Sequence, residues 1–373
     1  MKKLLSSVAL VGLASAASAG GIERSSQSVG FLFDEGDVAS IGISSAKPKV
    51  SGALATPVPT GPPPAPVLPA GSPSGDMAGD YLSYSLSYKQ EMTDKLHVGF
   101  VLDESVGADA SYPILAYPLA GASAFVDGQA YTGMVRYEVS DRVSVYGGLR
   151  VEQVSGGVAN LNGYNLSTDK STETGYLVGA AYEMPDIALR VSLTYNSEIT
   201  HKLTTTENGF ASGTMDVTTP ESWHLEFQSG VAEGTLVFGS IKWREWSSFD
   251  ISPNGFAAAN GGASLVNLTN DSLTYNLGVA RQVTDQLALI ASFEYEKANG
   301  GFAGNLTPTD GKRGISLAAS YDVTDQVTLR GGVSYIELGD ATTVLGGTPP
   351  AALTSSFTDN KAIGIGVQMK YKF

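Results

Sequence analysis

The chain ends on Ile363-Gly-Ile-Gly-Val-Gln-Met-Lys-Tyr-Lys-Phe373, and this stretch decides the fold. Extended, it puts Ile363, Ile365, Val367, Met369, Tyr371 and Phe373 on one face and Gly364, Gly366, Gln368, Lys370 and Lys372 on the other, because successive side chains of a strand point to opposite sides. In water, an apolar face running out to the terminal carboxylate is an open edge that invites aggregation. Against hydrocarbon the same face is stable, so the strand is expected to face lipid.

The same two-faced pattern recurs upstream. Leu82, Tyr84, Leu86 and Tyr88 alternate with serines, and Val143, Val145, Leu149 and Val151 with mostly polar partners. Leu189, Val191, Leu193 and Tyr195 repeat the pattern, as do Val327, Leu329, Val333 and Tyr335. Helical spacing is sustained nowhere, so the chain reads as all-β. Beyond residue 19 there is no apolar run of transmembrane-helix length, but a barrel hides its hydrophobicity in alternation.

The connectors set the architecture. Glu91-Met-Thr-Asp-Lys-Leu96, Glu138-Val-Ser-Asp-Arg-Val143, Glu183-Met-Pro-Asp-Ile187, Gln282-Val-Thr-Asp-Gln-Leu287 and Asp322-Val-Thr-Asp-Gln-Val327 are near-copies of one tight turn, with Val231-Ala-Glu-Gly234 as a sixth. The Asp of each copy is expected to bond its own backbone. Between successive tight turns lie two strands and one long polar connector. That predicts a transmembrane antiparallel up-and-down β-barrel of about fourteen strands, with short turns in the periplasm and long loops outside. The first strand is placed at 38–47, the third at 95–104, the seventh at 187–200 and the last at 360–373.

Residues 1–19, with Lys2 and Lys3, an apolar run and Ala17-Ser-Ala19, have the form of a cleaved signal peptide directing export to the bacterial outer membrane. The absence of cysteine leaves an exported chain to be held by its sheet rather than by disulfides. Lys2 and Lys3 are two of the 23 basic residues, so their removal leaves 21 against 37 acidic ones and no basic patch for nucleic acid. Residues 20–37 are expected to form a plug inside the barrel (38–373), because Ile22, Val29, Phe31, Leu32 and Phe33 are too apolar to dangle in the periplasm. The Pro-rich segment 47–78 reads as an extracellular loop, with an interdomain linker as the alternative.

Val98, Phe100 and Leu102 begin the third strand, but Ser105, Val106, Gly107, Ala108 and Asp109 spoil it. This is read as a kink that opens the wall, Gly107 supplying freedom to turn; the rival reading is a strand end running into a loop. Arg136, Glu138, Arg150, Glu152, Arg190, Lys242, Arg244, Glu294 and Arg330 are predicted to point into the lumen. Met134, Leu177, Leu236, Phe238 and Ile290 share that parity and suggest an apolar ligand pocket, unless local bulges turn them outward. Leu161, Tyr164, Leu166, Leu203 and Phe210 are candidates for first capture in the outer loops.

Catalytic motifs are missing from the sequence. His97, His201 and His224 are expected to be lone surface or interfacial histidines, Asp34, Glu35, Asp37, Asp103 and Glu104 to be solvated turn charges, and no cofactor or metal is expected.

The terminal strand ending in Phe373 resembles the closing strand of bacterial outer-membrane barrels. The mature chain as a whole resembles the FadL/TodX family of outer-membrane transporters for long-chain fatty acids and other hydrophobic compounds, in a short-hatch form. The residues carrying this are Gly21-Ile-Glu-Arg-Ser-Ser-Gln-Ser28, Phe33-Asp-Glu-Gly36, Val101-Leu-Asp-Glu-Ser-Val-Gly-Ala-Asp-Ala-Ser-Tyr-Pro113 and Phe373. The resemblance implies a monomeric barrel with a hatch and a kinked third strand. Hydrophobic small molecules would be caught among the outer loops, held in an apolar pocket and released sideways into outer-membrane lipid beneath the lipopolysaccharide. The Asn-Pro-Ala motif common in the family hatch is missing, so details of hatch gating are not carried over. A general diffusion porin and a structural or adhesive barrel are the two other classes open at this level.

Overall fold

The structure, a computed structural model, describes residues 22–62, 64–346 and 353–373. The proposed signal peptide, Gly20 and Gly21 therefore lie outside the described residues. Fourteen strands form the wall: β1 (Val38–Lys49), β2 (Tyr81–Thr93), β3 (Leu96–Asp103, resuming as Gly107–Ser111), β4 (Ser123–Ser140), β5 (Val143–Leu161), β6 (Ser171–Met184) and β7 (Leu189–Asn196) make one half. β8 (Ser222–Ala232), β9 (Thr235–Arg244), β10 (Ser272–Gln282), β11 (Leu287–Glu296), β12 (Lys312–Asp322), β13 (Val327–Leu338) and β14 (Asn360–Lys372) make the other. Neighbours in sequence pair antiparallel, and β14 returns to β1 in unbroken register from Val38↔Lys372 to Lys49↔Lys361, so the sheet closes on itself.

Exposure is inverted relative to a protein dissolved in water. Leu82, Leu149, Ile315 and Val367 are 59–65% exposed on the outside, while Arg136, Arg150, Glu152, Lys242, Arg244 and Arg330 are buried in the lumen. Such a surface is stable only against hydrocarbon. The lumen is lined by charges that pair across strands, for example Arg136 with Glu183 at 2.5 Å and Lys312 with Glu294 at 2.7 Å.

The repeated tight turns close differently from expectation. The hydroxyls of Thr93, Ser140, Thr284 and Thr324, each one residue before the Asp, accept N–H groups two and three residues ahead at 3.0–3.4 Å. A hydroxyl at that position reaches the turn's unpaired N–H groups directly, so the Asp is not needed as the cap.

At the loop end the chain builds a second layer. After Asn196 it leaves the wall, ending β7 short of residue 200, and Ile199–Glu207 pairs with Phe210–Thr219. The described part of the Pro-rich segment packs rather than extends. Gly52–Leu54 pairs with Leu353–Phe357, and Val50, Leu54, Val58 and Met77 share a core with Tyr112, Tyr117 and Phe357.

Candidate functional site

The third strand leaves its register over Glu104–Val106, at the start of the stretch whose sequence pattern fails; Gly107, Ala108 and Asp109, expected within the kink, already pair with β4 again. Asp103 pairs with Ala130 of β4 and Gly107 with Asp127, so four steps on β3 face three on β4. One residue too many must bulge. The bulge stays attached to β4, because Ser105 N–H donates to Gly128 O (3.2 Å) and Gly128 N–H to Val106 O (2.9 Å). It parts from β2, whose pairing with β3 ends at Leu86↔Leu102, although β2 continues beside β1 up to Tyr81↔Ala46. Contact resumes higher, where Ser111 N–H donates to Met77 O (2.7 Å) and Gly79 N–H to Asp109 O (3.0 Å). The backbone ladder between β2 and β3 is therefore interrupted over Leu82–Ser85 beside the bulge.

The N-terminal segment takes the place that β2 vacates. Arg24 N–H donates to Ser105 O (3.2 Å) and Gly107 N–H to Ile22 O (2.7 Å), with Glu23 bridging to Val106. Backbone groups that a bulge would leave unpaired are satisfied from inside the barrel. From there the segment runs through the lumen to the turn end. Ser25 donates to Asp103, Lys242 donates to Ser26 O (2.9 Å) and to Glu23, and Lys370 meets Asp34 at 2.6 Å. Leu32 is fully buried, Phe33 lies under the guanidinium groups of Arg136 (4.4 Å) and Arg190 (4.7 Å), and Gly99 leaves the space Leu32 occupies.

Behind the break is an apolar cavity of about 70 Å³. Its walls come from the break (Val106, Ala108), from Ile22, from the loop ends of β4 and β5 (Ala124, Val154, Val158) and from the outer layer (Leu166, Leu203, Met215, Val217, Phe249, Leu265). On the outer face a groove of about 680 Å³ runs along the break. Val106, Ala108, Ala124, Phe125 and Ser155 line both spaces, so a single layer of residues separates cavity from groove. A third cavity of about 170 Å³ lies in the lumen beside the N-terminal segment, between serines of β1 and β2 and Arg150.

The predicted site residues divide among these features. Ser105, Val106 and Gly107 are buried at the break, Ala108 is half-buried and Asp109 is exposed. Gly107 does not have a positive φ, so its role is space rather than conformational freedom: a Cβ there would lie 2.3 Å from Arg24 Nε. Val29, Phe31, Leu32 and Phe33 pack together, whereas Ile22 sits apart in the apolar cavity. Of the expected pocket, Met134 and Leu177 face inward but pack on that hatch cluster, and Leu236, Phe238 and Ile290 form a separate group on β9 and β11. These five do not line one pocket. Leu166 and Leu203 line the apolar cavity, Leu161 and Tyr164 pack against it, and Phe210 is 77% exposed at a hairpin tip. The histidines are buried, not superficial: His97 pairs with Glu138 at 3.0 Å, His201 with Glu152 at 3.1 Å, and His224 lies in the lumen wall. Asp34 and Asp103 are buried as well and engaged by Lys370 and Ser25, so they are not solvated turn charges.

Sequence reasoning missed Met215, Val217, Phe249 and Leu265. Met215 and Val217 carry a period-2 signal, alternating with Asp216 and Thr218; Phe249 and Leu265 lie in irregular segments and carry none.

The family model described as "Outer membrane protein transport protein (OMPP1/FadL/TodX)" matches residues 82–373, leaving the N-terminal segment and β1 outside the match. Among solved structures, a Pseudomonas aeruginosa FadL homologue aligns with a TM-score of 0.74 at 15% identity, covering 92% of each chain. The P. putida toluene transporter TodX aligns at 0.60 with 12% identity, covering 97% of this chain and 98% of that one. The Ralstonia pickettii toluene transporter TbuX does so with the same score, identity and coverage. At such identities these likenesses speak to the fold. A search of curated proteins finds no match. With its closed fourteen-stranded wall and a family match over most of its length, the chain belongs to the outer membrane protein transport protein (OMPP1/FadL/TodX) family.

Proposed function

We propose that this protein takes up hydrophobic molecules, fatty acids or similar lipophiles, from its loop end and releases them sideways through the break in β3. The observation that carries the reading is the shared wall: Val106, Ala108, Ala124, Phe125 and Ser155 line both the apolar cavity and the outer groove. A sideways route spares the substrate water. Releasing a sixteen-carbon chain into the periplasm would forfeit about 12 kcal/mol at ~0.8 kcal/mol per CH₂. The present cavity holds only a short piece of such a chain, so Ile22 or Val106 must move aside as substrate passes. Residues 1–19 serve export, residues 20–37 act as the hatch of a monomeric barrel, and the long loops face outside. The toluene transporters among its structural relatives are compatible with a small aromatic substrate as well.

The test fills the cavity. Ala124→Phe places a ring in the ~70 Å³ space; cells carrying it are expected to take up labelled long-chain fatty acid at least several-fold more slowly than wild type. Undiminished uptake by a correctly folded Ala124→Phe barrel rules this cavity out of the route. Sugar uptake that is indifferent to deletion of residues 20–36 favours a general porin instead.

A further inference from the structure

We propose that Arg24 selects carboxylate-bearing amphiphiles at the wall opening: the substrate carboxylate replaces Glu104 on the Arg24 guanidinium, and the exchange opens the lumen to the outer groove. The inference rests on the sideways route above and adds to it the chemical class of the cargo.

Arg24, Tyr84 and Glu104 line both the lumen cavity and the outer groove, so they are the partition between the two. The Arg24 guanidinium lies 4.1 Å over the Tyr81 ring, and its side chain is only 9% exposed. Its one ion pair among the described residues is to Glu104, Nη1 to Oε2 at 3.5 Å. Glu104 in turn accepts a hydrogen bond from Ser83 of β2 at 2.8 Å, which ties both edges of the break together. Arg24 Nε has no hydrogen-bond partner among the described residues. Two carboxylates beside it in the chain and on β3 are engaged elsewhere: Glu23 by Lys242 and Arg244, Asp103 by Ser25.

Guanidinium and carboxylate bind best as a fork, through two parallel N–H···O bonds. Glu104 supplies one long contact and leaves Nε unused, so a free carboxylate that engages Nε and Nη together has the advantage. A neutral lipophile offers no such exchange and leaves the pair closed. The groove outside suits an amphiphile, with Leu82, Tyr84 and Phe125 for a tail beside Asp127, Gln129 and Gln153 at the polar rim. Gly107 is what lets the arginine occupy the gap.

The experiment compares uptake of palmitate and of the sixteen-carbon alcohol by cells carrying wild type, Arg24→Met, Arg24→Lys and Glu104→Gln. Wild type is expected to favour the acid about tenfold, the worth of one charge-assisted contact. Arg24→Met should bring the ratio close to one while alcohol uptake persists. Arg24→Lys should restore part of the preference, and Glu104→Gln, a weaker competitor, should raise acid uptake. An acid-to-alcohol ratio that is unchanged in Arg24→Met, or is already one in wild type, overturns the proposal. A barrel with its break sealed by deletion of Glu104 separates the two readings. If both substrates still enter at wild-type rate, the sideways route is wrong; if both are blocked while Arg24→Met keeps its ratio, only the role of Arg24 is wrong.

Discussion

Deleting Glu104 should make the barrel more stable and less active at once. The register shows why: three residues, Glu104 to Val106, stand where β4 offers two, Gly128 and Gln129. Removing one equalises the count and lets β3 run without a bulge from Leu96 to Ser111. Tyr81–Ser85, now outside the β2–β3 ladder, then gain about four or five ladder hydrogen bonds. Two backbone bonds from the N-terminal segment, to Ser105 and from Gly107, are lost in exchange. The net gain of two or three bonds at ~0.5–1.5 kcal/mol each comes to about 1–4 kcal/mol. Thermal unfolding followed by gel mobility or circular dichroism should show a raised midpoint, and uptake of labelled fatty acid should fall at least tenfold. A more stable barrel with undiminished uptake refutes sideways exit, and a less stable one refutes the register argument itself.

Two further outcomes follow from the same geometry. Leu32→Ala removes a fully buried side chain from beneath Gly99; at ~2–5 kcal/mol for such a truncation, the undocked hatch should become about 30- to 4,000-fold more populated. Planar-bilayer conductance should rise, and unchanged conductance would show that the segment does not occlude the lumen. In the outer layer, burial pushes the Glu207 carboxyl up, but hydrogen bonds from the Gly255 and Phe256 N–H groups (2.8 and 2.7 Å) and the Tyr164 hydroxyl (2.7 Å) hold it below its usual value. A depressed folded value stabilises above the unfolded pKa of ~4.3 and is lost as pH falls through the folded one. Amide-exchange protection at Gly255 and Phe256 should therefore persist down to the ordinary Glu value of ~4.3 and fade only below it; fading already at pH 6 contradicts the assignment.

Much of the wall was legible because its signal is local. A strand's side chains alternate with period two whatever lies beside it, so Ile363 to Phe373 and the other two-faced segments could be assigned inside and outside without knowing their neighbours. The tight turns were legible as repeats, although the capping group was Thr93 or Ser140 rather than the neighbouring Asp. The apolar cavity was legible only in part. Leu203 and Leu166 stood out in the sequence, but Phe249 and Leu265 reach the cavity from irregular loops, where no period marks an inward face. Met134, Leu177, Leu236, Phe238 and Ile290 had the right parity, yet parity says nothing about height or azimuth in a barrel, and they belong to two separate clusters.

The break itself shows where the division falls. Sequence alone determined that the pattern of β3 fails within Glu104–Asp109, because a lost alternation is visible in the residues themselves. Only the tertiary structure decided what the failure becomes. Whether unpaired backbone at Ser105 and Gly107 finds β2, water or another segment depends on contacts across some eighty residues, and here the partners are Ile22 and Arg24. Gly107 likewise looked like a hinge and is a seat, because the group that fills the space beside it, Arg24, arrives from the N-terminal segment.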